Sequence, residues 1–397
     1  MAENKDKKVL NVPHLRFPEF SGEWKIVKVS ELLEFYSTNS LSWEQLDYGN
    51  GIIKNLHYGL IHKGLPTMVD ISSDLLPYIK SESMPKSYTL FQNGDVAFAD
   101  ASEDTNDVAK AVEIVNCDEQ QIVSGLHTIH GRDKSDLTVI GYKGYAFASD
   151  SFHKQIRRIA QGTKVFSINV RNFDEVRVGI PSKDEQIKIA KLLRAIDLRI
   201  ATQNKIIEDL KKLKSAIYHK QFSNLQGKEK TLSELAEIIK GQQINGSELS
   251  ESGKFYVMNG GIVPSGYYDC YNTEADTISI SEGGNSCGYV QYNNSKFWSG
   301  GHCYTLRIKP TAPIATQFLF HFLKWKEADI MALRIGSGLP NIQKKDLSKI
   351  CIIVPTLDRQ QQQIALLTTF QMKIENEGRY VVNLDKQKQY LLQQMFI

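Results

Sequence analysis

The sequence predicts an α+β chain: two globular α/β domains separated by two long antiparallel coiled-coil helices, in a pseudo-twofold repeat. Three observations carry this. A strand–Pro–helix stretch occurs twice in constant register, each copy continues into an apolar heptad, and the sequence outside the copies is rich in short alternating strands. With 397 residues, 41% hydrophobic and 23% charged, there is room for two to three domains of about 150 residues. That balance excludes a disordered or collagen-like chain.

An N-terminal arm, residues 1–24, comes first. Its opening, MAENKDKKVLNVPHL, lacks an apolar signal core, so export is not expected and the cytoplasm is the expected location. No apolar run approaches the ~18 residues of a membrane span, so no membrane partner is expected. Cys117, Cys270, Cys287, Cys303 and Cys351 are an odd, scattered set without a CxxC pair, which suits a reducing compartment. Net charge is +3 in total. It divides as 0, −5, +7, −2 and +3 over residues 1–24, 25–160, 161–230, 231–340 and 341–397. Basic charge is therefore concentrated outside the two large blocks, as phosphate neutralisation or as the solvated faces of Lys-rich helices.

The first block, 25–160, opens with KVSELLEF (28–35), echoed by TLSELAEI (231–238) at the start of the second block, 227–335. Each reads as a strand end followed by a short amphipathic helix. NGIIKNLHYGLIHKG (50–64) reads as two short strands around Asn55 and His57, and 141–158 ends in a helix. In the second block, residues 279–306 read as a run of hairpins with Gly-Gly and Asn-Asn turns.

The repeats, 161–226 and 336–397, place Pro181 against Pro355, Gln186 against Gln360, and Leu192-Leu193 against Leu366-Leu367. Val176, Val178 and Ile180, and likewise Ile350, Ile352 and Val354, alternate as strands. Each proline ends its strand, and Asp184 or Asp358 can cap the following helix. Helices are expected over about 183–222 and 357–396. The first seam is Ile189, Leu193, Ile196, Ile200, Ile207, Leu210 and Ile217, interrupted at Gln203 and Lys214. The second is Leu367, Phe370, Ile374, Val381, Leu384 and Leu391, opened by Gln363 and interrupted at Glu377 and Lys388. Steps of four and three are a 3.5-residue period, the seam of a coiled coil. Each helix would span roughly 60 Å. Gly227 and Lys228-Glu229-Lys230 mark the break between the halves.

Catalytic motifs find little support. There is no Pro-Pro or Pro-Asp dipeptide, so the (D/N)PP(Y/F/W) loop of amino-methyltransferases and the start of a PD-(D/E)xK nuclease are both missing. GLIHKGLP (59–66) has Leu65 where a P-loop needs lysine, GGNSCG (283–288) lacks GxGxxG spacing, and HExxH is absent. No metal site is expected, because His302-Cys303, Cys287 and Cys270 lack paired spacing. Loops rich in Asn, Gln, Tyr and Arg suit the reading of base edges. Candidates are Lys54, Asn55, His57, Lys63, Arg132, Lys134 and Lys143 in the first block. In the second they are Gln242, Gln243, Asn259, Asn285, Gln291, Tyr292, Asn293 and Lys296. Taken singly, each reads first as a solvated loop residue and only second as a base contact. Arg157 and Arg158 fit phosphate clamps or the polar face of a helix.

Over essentially its full length the chain resembles the specificity subunit of type I restriction-modification enzymes. The resemblance rests on VPHLRFPEFSGEWK (12–25), GDVAFADASEDTNDVAKAVEI (94–114), SGLHTIHGRDK (124–134), SDSFHKQIRRIAQGTKVFSIN (149–169) and the paired repeats. It implies two target-recognition domains, each reading one half of a split target in double-stranded DNA. Helical regions would set the spacing and dock two modification subunits, and restriction subunits would join that core. It further implies a non-catalytic chain with no cofactor of its own; S-adenosylmethionine, ATP and magnesium would belong to the partners. The Gln-rich start of the second helix (Gln360 to Gln363) and the acidic recognition blocks depart from the simplest form of this pattern. The same residues leave open an adaptor with protein-binding end domains, or a fused enzyme fragment.

Overall fold

Both heptads fold as continuous helices, Lys183–Phe222 and Leu357–Gln394, in a computed structural model that describes residues 10–73, 75–117, 120–336 and 338–397. Residues 1–9 of the N-terminal arm lie outside the described residues. All thirteen seam residues are buried or half-buried; Ile189, Leu193 and Leu367 are sealed from solvent almost completely. Ser182 rather than Asp184 caps the first helix, its Oγ accepting the Glu185 N–H at 3.3 Å. Asp184 and Asp358 instead sit in the first turns, where a carboxylate faces the positive end of the helix dipole.

The repeat also extends to contacts. Gln186 donates to the carbonyls of Leu137 and Pro181 (2.9 and 3.0 Å) and accepts from the Val139 N–H (2.9 Å). Gln360 donates to Pro313 and Pro355 (2.9 and 3.0 Å) and accepts from Ala315 (2.8 Å). Each glutamine is fully buried, so its amide satisfies backbone groups that have no water to turn to. The heptad interruptions are matched too: Lys388 pairs with Asp197 at 2.5 Å, and Lys214 donates to Gln371 at 2.5 Å.

Two compact units result, residues 1–204 with 379–397, and residues 205–378. This grouping by contact cuts across the sequence regions that end at 160, 226 and 335, because each unit takes in half of each long helix. The apolar face of a helix is buried by the block it packs on. In the first unit a five-stranded sheet runs in the order Leu33–Tyr36, Thr128–Asp133, Val96–Ala99, Ala111–Val115, Met68–Asp70. A four-stranded sheet runs Gln121–Ser124, Ile53–Leu56, Tyr78–Ile79, Leu46–Asp47. Lys25–Lys28 pairs antiparallel with Arg177–Ile180, the strand ahead of the first long helix. Phe98, Phe147, Phe152, Phe173 and Tyr142 form the core with Ile189, Leu193 and Leu391 of the long helices and with Phe396 just beyond the second.

The second unit holds a four-stranded sheet, Ala236–Lys240, Cys303–Ile308, Thr277–Ser281, Val290–Asn293. A three-stranded sheet, Gly266–Tyr268, Phe255–Met258, Trp298–Ser299, lies in the same unit. Lys228–Thr231 pairs with Cys351–Val354, as Lys25–Lys28 does with its own partner in the first unit. Phe222, Phe318, Phe322 and Leu367 are central to its core.

Two local expectations change. Residues 50–64 hold one strand, Ile53–Leu56, then a helix, Tyr58–Lys63. His57 caps that helix through Nδ1, Gly64 closes it at φ 106°, and Leu60 and Ile61 bury its inner face. Within 279–306 only the first pair is a hairpin. Trp298–Ser299 leaves to lie parallel to Phe255–Met258, and Cys303–Ile308 returns to pair with Thr277–Ser281.

Candidate nucleic-acid interface

In the first unit the ends of three strands converge. Gly125 donates to the Leu56 carbonyl (3.0 Å), Tyr58 to Leu126 (3.2 Å), and Asp100 to His127 (3.0 Å). A Cβ on Gly125 would lie 2.2 Å from Asn55 Oδ1, so only glycine lets these loops meet. The meeting point carries a run of aromatic and imidazole rings. Trp43 lies 4.3 Å from His57, His57 is 4.8 Å from Tyr58, and Tyr58 contacts His62 and His127 edge-on at 5.8 and 5.1 Å. Trp43 is 38% exposed, and the Lys63 ammonium lies over its ring at 5.3 Å. Burial, then the His127 and Lys63 charges, lower the His57 pKa and favour its neutral form. The surface therefore offers flat aromatic faces, the His62 and His127 rings held in place by the Ala101 carbonyl (2.9 Å) and the Asp100 carboxylate (3.0 Å), and one cation, which suits contact with base edges and methyl groups.

Several of the candidates from sequence are not on that surface. Lys54 is buried and donates to the Ile71 carbonyl at 2.9 Å. Asn55 is fully buried, its Nδ2 on Asn39 Oδ1 at 3.0 Å. His57 is buried as a helix cap. Lys143 is buried with Thr138 (2.9 Å) and Glu113 (3.6 Å). Asn293 in the second unit is buried between Thr277, Ser279 and Tyr256. These five are corrected to scaffold residues: Lys54, Asn55, Lys143 and Asn293 spend their donors on internal partners, and His57, accepting the Gly59 N–H, lies beneath the surface at 2% exposure. Arg132 is half-buried, stacked on Tyr36 at 4.7 Å and held by Asp95 (2.7 and 2.9 Å). Lys134 is exposed but donates to the Ser30 carbonyl. Arg157 reaches Asn106 and Asp150, whereas Arg158 is exposed.

In the second unit the structure brings Gln242, Gln243 and Asn259 together. Gln242 N–H donates to Ser299 (2.8 Å), and its carbonyl accepts the Trp298 indole (3.0 Å). Asn259 Oδ1 accepts the His302 N–H at 3.0 Å. Cβ atoms on Gly300 and Gly301 would lie 2.5 Å from Asn259 Oδ1 and 2.4 Å from Gln243 Oε1, so the Gly-Gly pair seats both amides. Asn285 is exposed on the loop whose Gly283 lies beside His302. Gln291 and Tyr292 are elsewhere: Tyr292 packs on Phe320 and donates to Asp276 (3.2 Å). Lys296 is neutralised by Glu274 at 3.0 Å and bonded to Tyr271.

Sequence reasoning missed Trp43, Tyr58, His62 and His127. The i,i+4 spacing of Tyr58 and His62 is a usable signal once 58–63 is read as a helix. It also missed a loop present in both halves. Gln161 and Ser167 exchange backbone hydrogen bonds (3.1 and 2.8 Å), and Ile335 and Asn341 do the same (2.8 and 3.0 Å). The two pairs stand in the same register as Pro181 and Pro355, and their loops expose Val165 (53%) and Leu339 (86%). Among the described residues, no helix is long and apolar enough to cross a membrane.

Comparison with known proteins agrees with this two-fold construction. The model of the family described as "Type I restriction modification DNA specificity domain" matches twice, at residues 21–212 and 226–382. A putative type I specificity subunit of Mycoplasma pneumoniae is 34% identical over 155 residues, 39% of this chain and 41% of that protein. A putative type I restriction enzyme specificity subunit of Methanocaldococcus jannaschii is 25% identical over 259 residues, 57% of this chain and 60% of that protein. The chain thus spans less than two thirds of either curated relative. The crystal structure of a type I restriction-modification S subunit from M. genitalium superposes with a TM-score of 0.62 at 20% identity, over 97% of this chain and 99% of that one, a likeness of fold. With the family model covering both units, the chain belongs to the type I restriction-modification DNA specificity family.

Proposed function

We propose that this chain supplies sequence specificity to a type I restriction-modification complex, each recognition block reading one half of a split target in double-stranded DNA. The observation that carries this is one frame built twice, with matched helix starts and matched glutamine clamps, around two blocks whose exposed loops differ. A repeated frame with divergent inserts is what two different half-sites require. The two long helices set the spacing between half-sites and dock two modification subunits, and restriction subunits join that core. The chain is itself non-catalytic and works in the cytoplasm. S-adenosylmethionine, ATP and magnesium are held by the partner subunits.

The test is a genome-wide map of methylated bases in cells expressing the modification subunit with and without this chain. A split motif appearing only with the chain is the expected result. An unchanged map from an assembled complex would sink the proposal in favour of an adaptor. Removing one heptad from each long helix is expected to change the spacer and leave both half-sites intact, because duplex DNA advances ~34 Å per turn and a rigid ruler selects one phase. An altered half-site with the old spacer would refute the ruler.

Within the first block, Trp43→Ala is expected to weaken target binding by the assembled complex about tenfold or more, the order of one lost base contact. The loss should depend on the first half-site alone. Titrating duplexes scrambled in one half-site or the other measures this. A uniform loss across all duplexes would remove Trp43 from base reading.

A further inference from the structure

At the start of the second long helix, within the second unit, lies a cleft of about 830 Å³. Its charged lining is Lys220, Lys228, Lys230 and Arg359, with no carboxylate; Leu225, Pro313, Val354 and Pro355 add apolar surface. Lys230 has Glu234 at 3.9 Å, outside the lining. Among the described residues Lys220 and Lys228 have no ion-pair partner, and Arg359 has only the neutral amides of Gln221 and Gln362 (3.2 and 3.4 Å). Three cations converging without a counter-charge repel one another, so the unit gains when an anion enters.

The first unit shows what such a place holds. Moving back by one repeat takes Pro355 to Pro181 and Arg359 to Glu185, and moving forward takes Lys220 to Gln394. There the chain's own arm fills the space. Leu15 N–H donates to the Gln394 carbonyl at 2.9 Å. Arg16 grips the Glu185 carboxylate at 2.7 and 2.8 Å and is braced by the carbonyls of Gly22 and Ser21. In the second unit only the short stretch 223–227 passes this point. Gly227 is pressed so close to Val354 that a Cβ would lie 2.5 Å from its carbonyl oxygen. The charge at the gripping position is inverted, from Glu185 to Arg359.

We infer that this cleft receives an extended, carboxylate-bearing segment of a partner protein, laid across the start of the second long helix as residues 15–24 are laid across the start of the first. DNA lying on the Gln242, Gln243 and Asn259 loops does not account for it. Those loops follow Lys240, while Pro313 lies beyond Ile308, and Lys240 pairs with Tyr304 where Ala236 pairs with Ile308. The cleft and the amide loops therefore sit at opposite ends of a strand pair roughly 15 Å long.

The experiment uses the full chain and two fluorescein-labelled peptides of residues 12–24, one natural and one carrying Arg16→Glu. Fluorescence anisotropy is expected to show binding of the R16E peptide, weaker binding of the natural one, and loss of the difference as salt is raised. The double variant K220E/R359E, both positions being exposed, is expected to weaken the R16E peptide about tenfold with an unchanged thermal melt. Equal binding of both peptides, or undiminished binding by the double variant, overturns the proposal. So does a double variant that loses affinity for a 20-base-pair duplex while neither peptide binds the parent chain, which would reassign the cleft to phosphate.

Discussion

Asp95→Ala is expected to lower the stability of the first unit by about 3–5 kcal/mol, the cost of removing one member of a buried ion pair. One nearly inaccessible carboxylate accepts from the Gln92 N–H at 2.8 Å, His130 Nε2 at 2.8 Å, and Arg132 Nε and Nη2 at 2.9 and 2.7 Å. Burial pushes the Asp95 pKa up, but the hydrogen bonds from His130, Arg132 and Gln92 outweigh it and hold the group ionised below the ordinary range. His130 is fully buried between Tyr36 and Phe91, at 5.1 and 4.0 Å, so its imidazole has no water to turn to when the carboxylate is gone. Hydrogen exchange of strands Val96–Ala99 and Thr128–Asp133 reads the loss locally. The double variant D95A/H130F should recover part of it, since the orphaned imidazole goes with its partner. Unchanged protection in D95A would show that these hydrogen bonds are replaced by solvent at no net cost.

That network also shows what the sequence can and cannot reveal. Periodicity is a property of neighbours along the chain, so the long helices, their thirteen seam positions and the strand–Pro–helix repeat are all legible. The matched Gln186 and Gln360 are legible as a coincidence of spacing, but their function depends on loops 47 and 45 residues away, at Val139 and Ala315. Binding residues fail for a different reason. Lys54, Asn55, Lys143 and Asn293 have the chemistry of base readers, and the same donors serve equally well to satisfy carbonyls inside a small sheet. Residue type alone does not decide between the two, whereas the close approach of Gly125 to Asn55 does. Gln243 and Asn259 lie on separate loops, and it is the Gly300-Gly301 pair, far along the sequence, that brings them together. The strand expected around His57 is a helix because His57 caps it, a tertiary choice reinforced by the Trp43 ring.

Acid is expected to destabilise the second unit through His321. The imidazole is 4% exposed on helix Thr316–Trp325, and its Nδ1 lies 2.7 Å from the Tyr218 hydroxyl. Burial first, and then the charge of Lys214, push its pKa down to about 4. An unfolded chain would titrate this histidine near 6.5. Above pH 6.5 it is neutral in both states and the full stability is present. As pH falls from 6.5 towards 4, the unfolded chain binds a proton that the folded unit refuses, so stability is lost across that window. The depressed folded value sets the limit at roughly 3 kcal/mol, reached near pH 4 and not increasing below it. His321→Gln keeps an acceptor within reach of Tyr218 and removes the titration. Its stability should therefore depend less on pH between 6.5 and 4, measured by hydrogen exchange in strands Thr277–Ser281 and Cys303–Ile308. A variant that loses stability as steeply as the parent would place the acid sensitivity elsewhere in the unit. The flatter curve would identify the buried Tyr218–His321 pair as the source of the second unit's acid sensitivity.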